Sequence, residues 1–289
     1  MIHLYGVNRL SGNYRVILEM NERLKLGSRK LVANVRTWVT AVVVVERSTA
    51  TEVSATFINM LARSDQTADL DLDRDGAELF AQALDEATLT RLEAALAALP
   101  TNVPGVRIGE GRKLKPFLEV AGSIGGIAAT ALGPDARPVR AILFDKTSER
   151  NWALGWHQDR TIVVRERVGA DGFGPWTLKS GLIQVEPPFD ILERMVTLRV
   201  HLDQVDANNA PLRIVPGSHR LGRLSEAEVQ RLVTTSGERL CLAERGDVWL
   251  YATPIVHASL AADPPRRRRV LQVDYSADAA PYPLAWHGI

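Results

Sequence analysis

The chain is almost without cysteine: Cys241 stands alone among 289 residues. That excludes an intramolecular disulfide framework and any cysteine-cluster zinc site, and a reducing compartment is the expected setting. An excess of one charge is missing as well. Thirty-five Lys and Arg face 34 Asp and Glu, a net charge of +1. No global field therefore draws the chain to nucleic acid or to an anionic membrane. Long hydrophobic runs are also lacking. The most apolar stretch, 31–45, is interrupted by Arg36, and the uncharged remainder is too short to span a bilayer. It lies too far in, and lacks the small-residue cleavage site, to be a signal peptide. Repeats and low-complexity tracts are absent. What is left is an ordinary globular balance, 46% hydrophobic and 24% charged. The expected location is the cytoplasm, with no nucleic-acid or membrane partner and with the oligomeric state open.

Charge divides the chain. Residues 1–36 carry seven basic residues and two acids, whereas 65–86 carry eight acids and only Arg74. Such a reversal marks a boundary, so 1–65 reads as an N-terminal extension and 66–289 as the main domain. Within the extension, 39–45 reads as a buried strand. Two readings stay open: an extension packed loosely on the main domain, or upstream sequence preceding a natural start at Met60. Either way, residues 1–59 are expected to be dispensable for the chemistry.

Beyond the boundary, helices come first and strands later. Residues 76–99 repeat Leu89, Leu92, Leu96 and Leu99 at helical spacing, with Asp85 as N-cap and Pro100 as stop. Residues 123–132 read as a small-residue helix capped by Ser123 and ended by Gly133. From 139 onward strands dominate: 139–144, 195–205, 212–215, 247–251 and 269–275. In 195–205, Val196, Leu198, Val200 and Leu202 share one face and Thr197, Arg199, His201 and Asp203 the other. This order predicts an α+β chain with a mainly β core, an antiparallel sandwich or barrel.

Five of six histidines and five of six tryptophans follow residue 150, so the reactive equipment lies on the strand-rich part. His157 and Asp159, two apart on a strand, point to the same side and could share a metal. Alone the pair is weak. Six histidines and 17 aspartates in this length give about 0.35 His-x-Asp by chance, and a surface neighbour pair is the plainer reading. His257, a distant third ligand, would complete two histidines and a carboxylate, the set that suits non-haem Fe(II). Its plain reading is a strand-end histidine bonded to backbone. Arg266, Arg267, Arg268 and Arg269 read as a solvated patch, except that a hairpin centred near 262–264 would place Arg268 opposite His257 or Ser259. A guanidinium there could grip a carboxylate with two parallel bonds.

His157-x-Asp159, Leu212-Arg213-Ile214-Val215-Pro216-Gly217-Ser218-His219, His257-Ala258-Ser259 and an arginine eleven residues beyond His257 together resemble the phytanoyl-CoA dioxygenase family of Fe(II)/2-oxoglutarate oxygenases. The resemblance covers roughly 72–280 and includes Asp73-Arg74-Asp75-Gly76 and the strand running into Asp145-Lys146-Thr147. It implies a double-stranded β-helix, a cupin-like jelly-roll with flanking helices. It further implies Fe(II) held by His157, Asp159 and His257, and 2-oxoglutarate held at its distal carboxylate by Arg268 with Ser259. Also implied are O2 as co-substrate, succinate and CO2 as co-products, and hydroxylation of a small molecule. A carboxylate at 159 points to an oxygenase rather than a related halogenase, which has a small residue there. Thr197 and Arg199 are further candidates for the co-substrate pocket, with a solvent-facing position as the alternative. The chain departs from the family pattern at Ala258 and at Asn209-Ala210, where glycine is usual. Residues 172–188 are either a substrate lid or a plain long connection. The rival functions are a cupin-type metalloenzyme that does not use 2-oxoglutarate and a catalytically silent jelly-roll binding protein.

Overall fold

Alternation along the strands decides the architecture, because two faces of one sheet meet different surroundings. The computed structural model describes residues 3–10, 13–21, 38–46, 70–100, 103–109 and 111–289, and the chain divides into two compact units at Ala62/Arg63.

The first unit is a three-stranded antiparallel sheet of β1 (His3–Leu10), β2 (Asn13–Asn21) and β3 (Trp38–Glu46), in that order. β3 contains the expected strand 39–45. Its expected burial, and the start at Met60, lie outside the described residues.

The second unit is a jelly-roll. Its strands are β4 (Ala77–Phe80), β5 (Gly105–Ile108), β6 (Arg137–Lys146), β7 (Leu154–His157), β8 (Ile162–Val164), β9 (Trp176–Lys179), β10 (Leu182–Val185), β11 (Met195–His201), β12 (Leu212–Ile214), β13 (Arg239–Cys241), β14 (Val248–Ala252), β15 (His257–Ser259) and β16 (Arg268–Ser276). A large sheet runs β4-β14-β11-β16-β6-β5, a small one β13-β12-β15-β7, and a third β8-β10-β9.

On the outer face of the large sheet, Ala141 and Leu143, Val196, Leu198 and Val200, and Leu271 and Val273 pack against buried residues of the helices Glu86–Leu96 and Gly125–Leu132. At one end of the inner face, Trp249 and Tyr251 meet Leu212, Ile214 and Cys241 of the small sheet in a second apolar cluster. Burial there pushes the Cys241 thiol up to about 12, so the single cysteine is inert packing. The rest of the inner face mixes polar residues with the apolar Ile142 and Phe144 and walls a cavity. All seven residues of Met195–His201 are buried, so Thr197, Arg199 and His201 do not face solvent.

Several expectations need correction. The segment 76–99 is not one helix. Gly76 adopts φ 81, ends the short helix Leu72–Asp75, and is followed by β4, which pairs with β14; the helix proper is Glu86–Leu96. Its N-cap is Asp85, whose carboxylate accepts from the Thr88 N–H at 2.8 Å. Gly76 is required twice over, since a Cβ there would also sit 2.3 Å from His219 Nδ1. Ser123 makes no cap, because the helix Gly125–Leu132 begins after Ile124 without a side-chain bond. The hairpin returning Arg268 to His257 does not form. β15 pairs with β12 and β7, while β16 pairs with β6 and β11, so residues 260–267 carry the chain from one sheet to the other. Residues 172–188 hold β9 and β10, joined at Ser180-Gly181 with φ 52 and 78, the paired left-handed turn that favours tight hairpins. Among the described residues no helix is long and apolar enough to cross a membrane.

Candidate active site

Antiparallel pairing of β7 and β15 sets His157 directly opposite His257. Their ring centroids are 4.3 Å apart and tilted by 55°. Asp159 follows just beyond the end of β7, and one donor atom from each of the three residues lies within 4.8 Å of the others. Each histidine bonds through Nδ1 to the carbonyl two residues earlier: His157 to Gly155 at 2.7 Å and His257 to Ile255 at 2.9 Å. A carbonyl only accepts, so Nδ1 carries the proton and each Nε2 lone pair is left for a metal. Burial, and then the neighbouring His157, push His257 down to about 4, which keeps it neutral. Burial works to raise Asp159, but the positive charge around it, Arg140 foremost, outweighs burial and holds the carboxyl below its usual range. Two imidazoles and one carboxylate on one side of a cavity fit a divalent first-row metal with open positions.

Three supports hold this set. Gln158, between two of the ligands, points away from them. Its Nε2 donates to the Gly222 and Pro254 carbonyls, both at 2.9 Å, and its Oε1 accepts from the Leu224 N–H at 3.0 Å. Ser218 donates to the Val215 carbonyl and accepts from the Val256 N–H at 2.9 Å, fixing the residue before His257. Buried Arg140 reaches Asp159 at 3.6 Å and pairs with Asp274.

His157, Asp159 and His257 open on a cavity of about 390 Å³. Its far wall is the inner face of the large sheet, including Arg140, Phe144 and Lys146 of β6, Arg199 of β11 and Arg268 of β16. Arg268 is 2% exposed. Its Nη1 donates to the Ala210 carbonyl at 2.5 Å and its Nε has no partner. Among the described residues no carboxylate pairs with it, whereas Arg266 pairs with Asp206, Arg267 with Asp145, and Arg269 with Asp203 and Glu93. The four arginines are therefore not one solvated patch. Burial and Arg199 lower Arg268 to about 9, so it stays a cation at neutral pH.

Lys146 is the register partner of Arg268. Its Nζ donates to the carbonyls of Trp152 and Leu260 and to Ser259 Oγ, at 2.7, 2.9 and 3.2 Å. Burial first, then Arg268 and Arg199, bring Lys146 down to about 7. Because Ser259 accepts from Lys146, its own hydroxyl proton remains to be given to a ligand in the cavity.

The seven residues singled out in the sequence thus divide. His157, Asp159, His257, Ser259, Arg199 and Arg268 line one cavity. Arg199 lies 5.5 Å over the Phe144 ring, with its Nε unpartnered. Thr197 stands behind the wall, its hydroxyl 3.0 Å from that of Thr253 and donating to Asp274 at 3.1 Å. Sequence reasoning missed Arg140, Lys146, Gln158 and Asp274. Arg140 and Lys146 left a trace: both are charges on one alternating face of β6, flanking the apolar run 141–144.

Comparison with known proteins agrees with this geometry. The family model for phytanoyl-CoA dioxygenase matches residues 72–270, more than two-thirds of the chain. No curated protein matches it significantly. Among solved structures, EctD from S. alaskensis in its apoform is 17% identical with a TM-score of 0.54, covering 74% of this chain and 78% of its own. AviO1 from Streptomyces viridochromogenes Tue57 is 21% identical with a TM-score of 0.52, covering 74% and 99%. HygX from Streptomyces hygroscopicus, with nickel and 2-oxoglutarate bound, is 16% identical with a TM-score of 0.50, covering 71% and 84%. At these identities the likeness establishes the shared jelly-roll. With the family match spanning both the candidate metal-binding set and Arg268, the chain belongs to the phytanoyl-CoA dioxygenase family, oxygenases that work with iron and 2-oxoglutarate.

Proposed function

We propose that the protein is a dioxygenase that hydroxylates a small molecule while 2-oxoglutarate and O2 are converted to succinate and CO2. The observation that carries this reading is Arg268. A buried guanidinium with no carboxylate partner among the described residues lines the same cavity as a set of two histidines and one carboxylate. A lone buried cation is costly unless a ligand completes it, and a dicarboxylate that also reaches the metal does so. The solved neighbours support the choice: EctD has been determined with bound Fe and, separately, with 2-oxoglutarate and 5-hydroxyectoine.

Iron held by His157, Asp159 and His257 supplies O2 activation coupled to oxidative decarboxylation of 2-oxoglutarate. The chain's own residues do the rest. Arg268 grips the distal carboxylate, and Ser259 donates its hydroxyl proton to the same group. Lys146 positions Ser259 and adds positive charge beside Arg268. Arg199 contributes a second guanidinium for the charge of the co-substrate. Arg140 keeps Asp159 ionised and oriented, and Thr197 steadies Arg140 through Asp274. Apolar Ile142, Phe144 and Leu212 help exclude water from the cavity. Asp159 fills the ligand position that a halogenase leaves for halide. A metalloenzyme that ignores 2-oxoglutarate would leave Arg268 unexplained.

The test is succinate formed from 2-oxoglutarate with Fe(II) under air. Wild type is expected to produce it without the natural substrate, through uncoupled turnover. His157→Ala and His257→Ala are expected to abolish it while the fold survives. Near-full turnover in either variant would remove that residue from the ligand set, and a chlorinated product from wild type would overturn the oxygenase outcome.

A further inference from the structure

Once the metal ligands and the co-substrate anchors are assigned, the cavity still holds hydrogen-bond donors with nothing to bind. Arg107 on β5 is half-buried. Its Nε is enclosed and unpartnered, and among the described residues no carboxylate pairs with it. Gln184 on β10 is 2% exposed, and its Nε2 is likewise enclosed and unpartnered. Both residues line the cavity.

The orientation of Gln184 is fixed by its neighbours. Thr161 Oγ1 accepts from Arg140 Nη1 at 3.4 Å, so its hydroxyl proton is free to go to Gln184 Oε1, also at 3.4 Å. With its oxygen engaged, Gln184 has its NH2 left unpartnered on the cavity lining. Arg107 pairs in register with Ile142, two residues along β6 from Arg140 and on the same inner face. The two idle donors therefore flank Arg140, which itself contacts the ligand Asp159. Arg140 is already matched by Asp159 and Asp274, so it does not satisfy an incoming anion on its own account. Lys179 and Arg160 are also on the cavity lining and add positive charge to it.

We infer that the substrate is itself a carboxylic acid, whose carboxylate is held by the guanidinium of Arg107 and the amide of Gln184 beside the metal site. A planar carboxylate accepts from a guanidinium and an amide together, and a neutral substrate would leave both buried donors unsatisfied. The inference rests on the functional reading above, which assigns Arg268 and Ser259 to 2-oxoglutarate.

The test uses the full chain loaded anaerobically with Fe(II) and saturating 2-oxoglutarate, followed by the absorption of the iron–2-oxoglutarate chelate. The probes are matched pairs, benzoate with benzamide and hexanoate with hexanamide. In wild type each acid is expected to perturb the band at a concentration at least tenfold below that of its amide. Arg107→Gln and Gln184→Leu are each expected to erase most of that preference while the 2-oxoglutarate Kd stays within twofold. Arg268→Ala is expected to do the reverse, raising the 2-oxoglutarate Kd. Amides acting as well as acids, a preference surviving both substitutions, or no response to either acid up to tens of millimolar would each overturn the inference alone. A wild-type protein that binds no 2-oxoglutarate would overturn the functional reading and this inference with it.

Discussion

The two faces of the large sheet are built from the same strands and do opposite work. On the outer face Val196, Leu198 and Val200, with Leu271 and Val273, lie under helices and supply stability by burying apolar area. On the inner face Arg199, Arg268 and Gln272, with Arg140 and Lys146, wall the cavity. These polar groups are as buried as the core, and the Nε atoms of Arg199 and Arg268 have no partner. The outer face is satisfied by the chain itself, whereas the inner face is completed only by what binds. Substitutions on the two faces should therefore fail in different assays.

The largest effect belongs to the outer face. Leu198→Ala is expected to lower unfolding stability by about 2–5 kcal/mol, read by denaturant titration, with little change in 2-oxoglutarate affinity of the folded fraction. An equal loss of affinity would break the separation of faces. Next comes the support of the ligand pair. Gln158→Leu removes three hydrogen bonds and strands two carbonyls and an N–H, for about 2–3 kcal/mol of stability. It should also weaken Fe(II) binding, measured anaerobically, because the 157–159 segment loses its anchor. Unaltered Fe(II) affinity would show that the pairing of β7 with β15 suffices.

A smaller effect concerns Lys146. In the ligand-free protein it titrates near 7, so above that pH it is mostly neutral, while a bound dianion favours the charged form. Binding should then take up a proton, and the 2-oxoglutarate Kd of the Fe(II) protein should rise with pH above 7 by at most about tenfold per unit. Lys146→Met should flatten that slope. Folding responds with the opposite sign. The unfolded chain keeps this proton up to the ordinary lysine value of 10.5, so Lys146 makes the ligand-free protein more stable as pH rises between about 7 and that value. The smallest effect is at Ala210, held at φ 53 with its carbonyl accepting from Arg268. Ala210→Gly relieves left-handed strain but loosens the unfolded chain, for a net gain of about 0.5 kcal/mol in a melting experiment.

Much of this was legible in the sequence, and particular residues show why. The alternation at 195–201 revealed two unlike faces, yet alternation does not say whether the polar face meets water or a cavity. Asp85 and the leucines after it fixed the helix Glu86–Leu96. The segment before it misled, because the neighbouring β14 recruits Ala77–Phe80 as an edge strand, a tertiary choice that local pattern does not carry. Resemblance selected Arg268, but the hairpin register offered in its support was wrong. The strands bearing His257 and Arg268 lie in different sheets, and sequence distance does not reveal a crossover. Local pattern gives Lys146 no role, because its role depends on facing Ser259 across that crossover. Thr197 was grouped with the pocket by its face alone, and Asp274 turned out to absorb its hydroxyl.

The four consecutive arginines give the most direct test of the account. They are alike in sequence, but three have acidic partners and one has none. The measurement is the 2-oxoglutarate Kd of the Fe(II)-loaded protein, taken anaerobically for the single alanine variants of Arg266, Arg267, Arg268 and Arg269. The account predicts that only Arg268→Ala weakens binding, by about 2–5 kcal/mol, with incomplete rescue by Arg268→Lys because an ammonium lacks the planar fork. A flat response across all four variants, or a loss confined to Arg269→Ala, would contradict it.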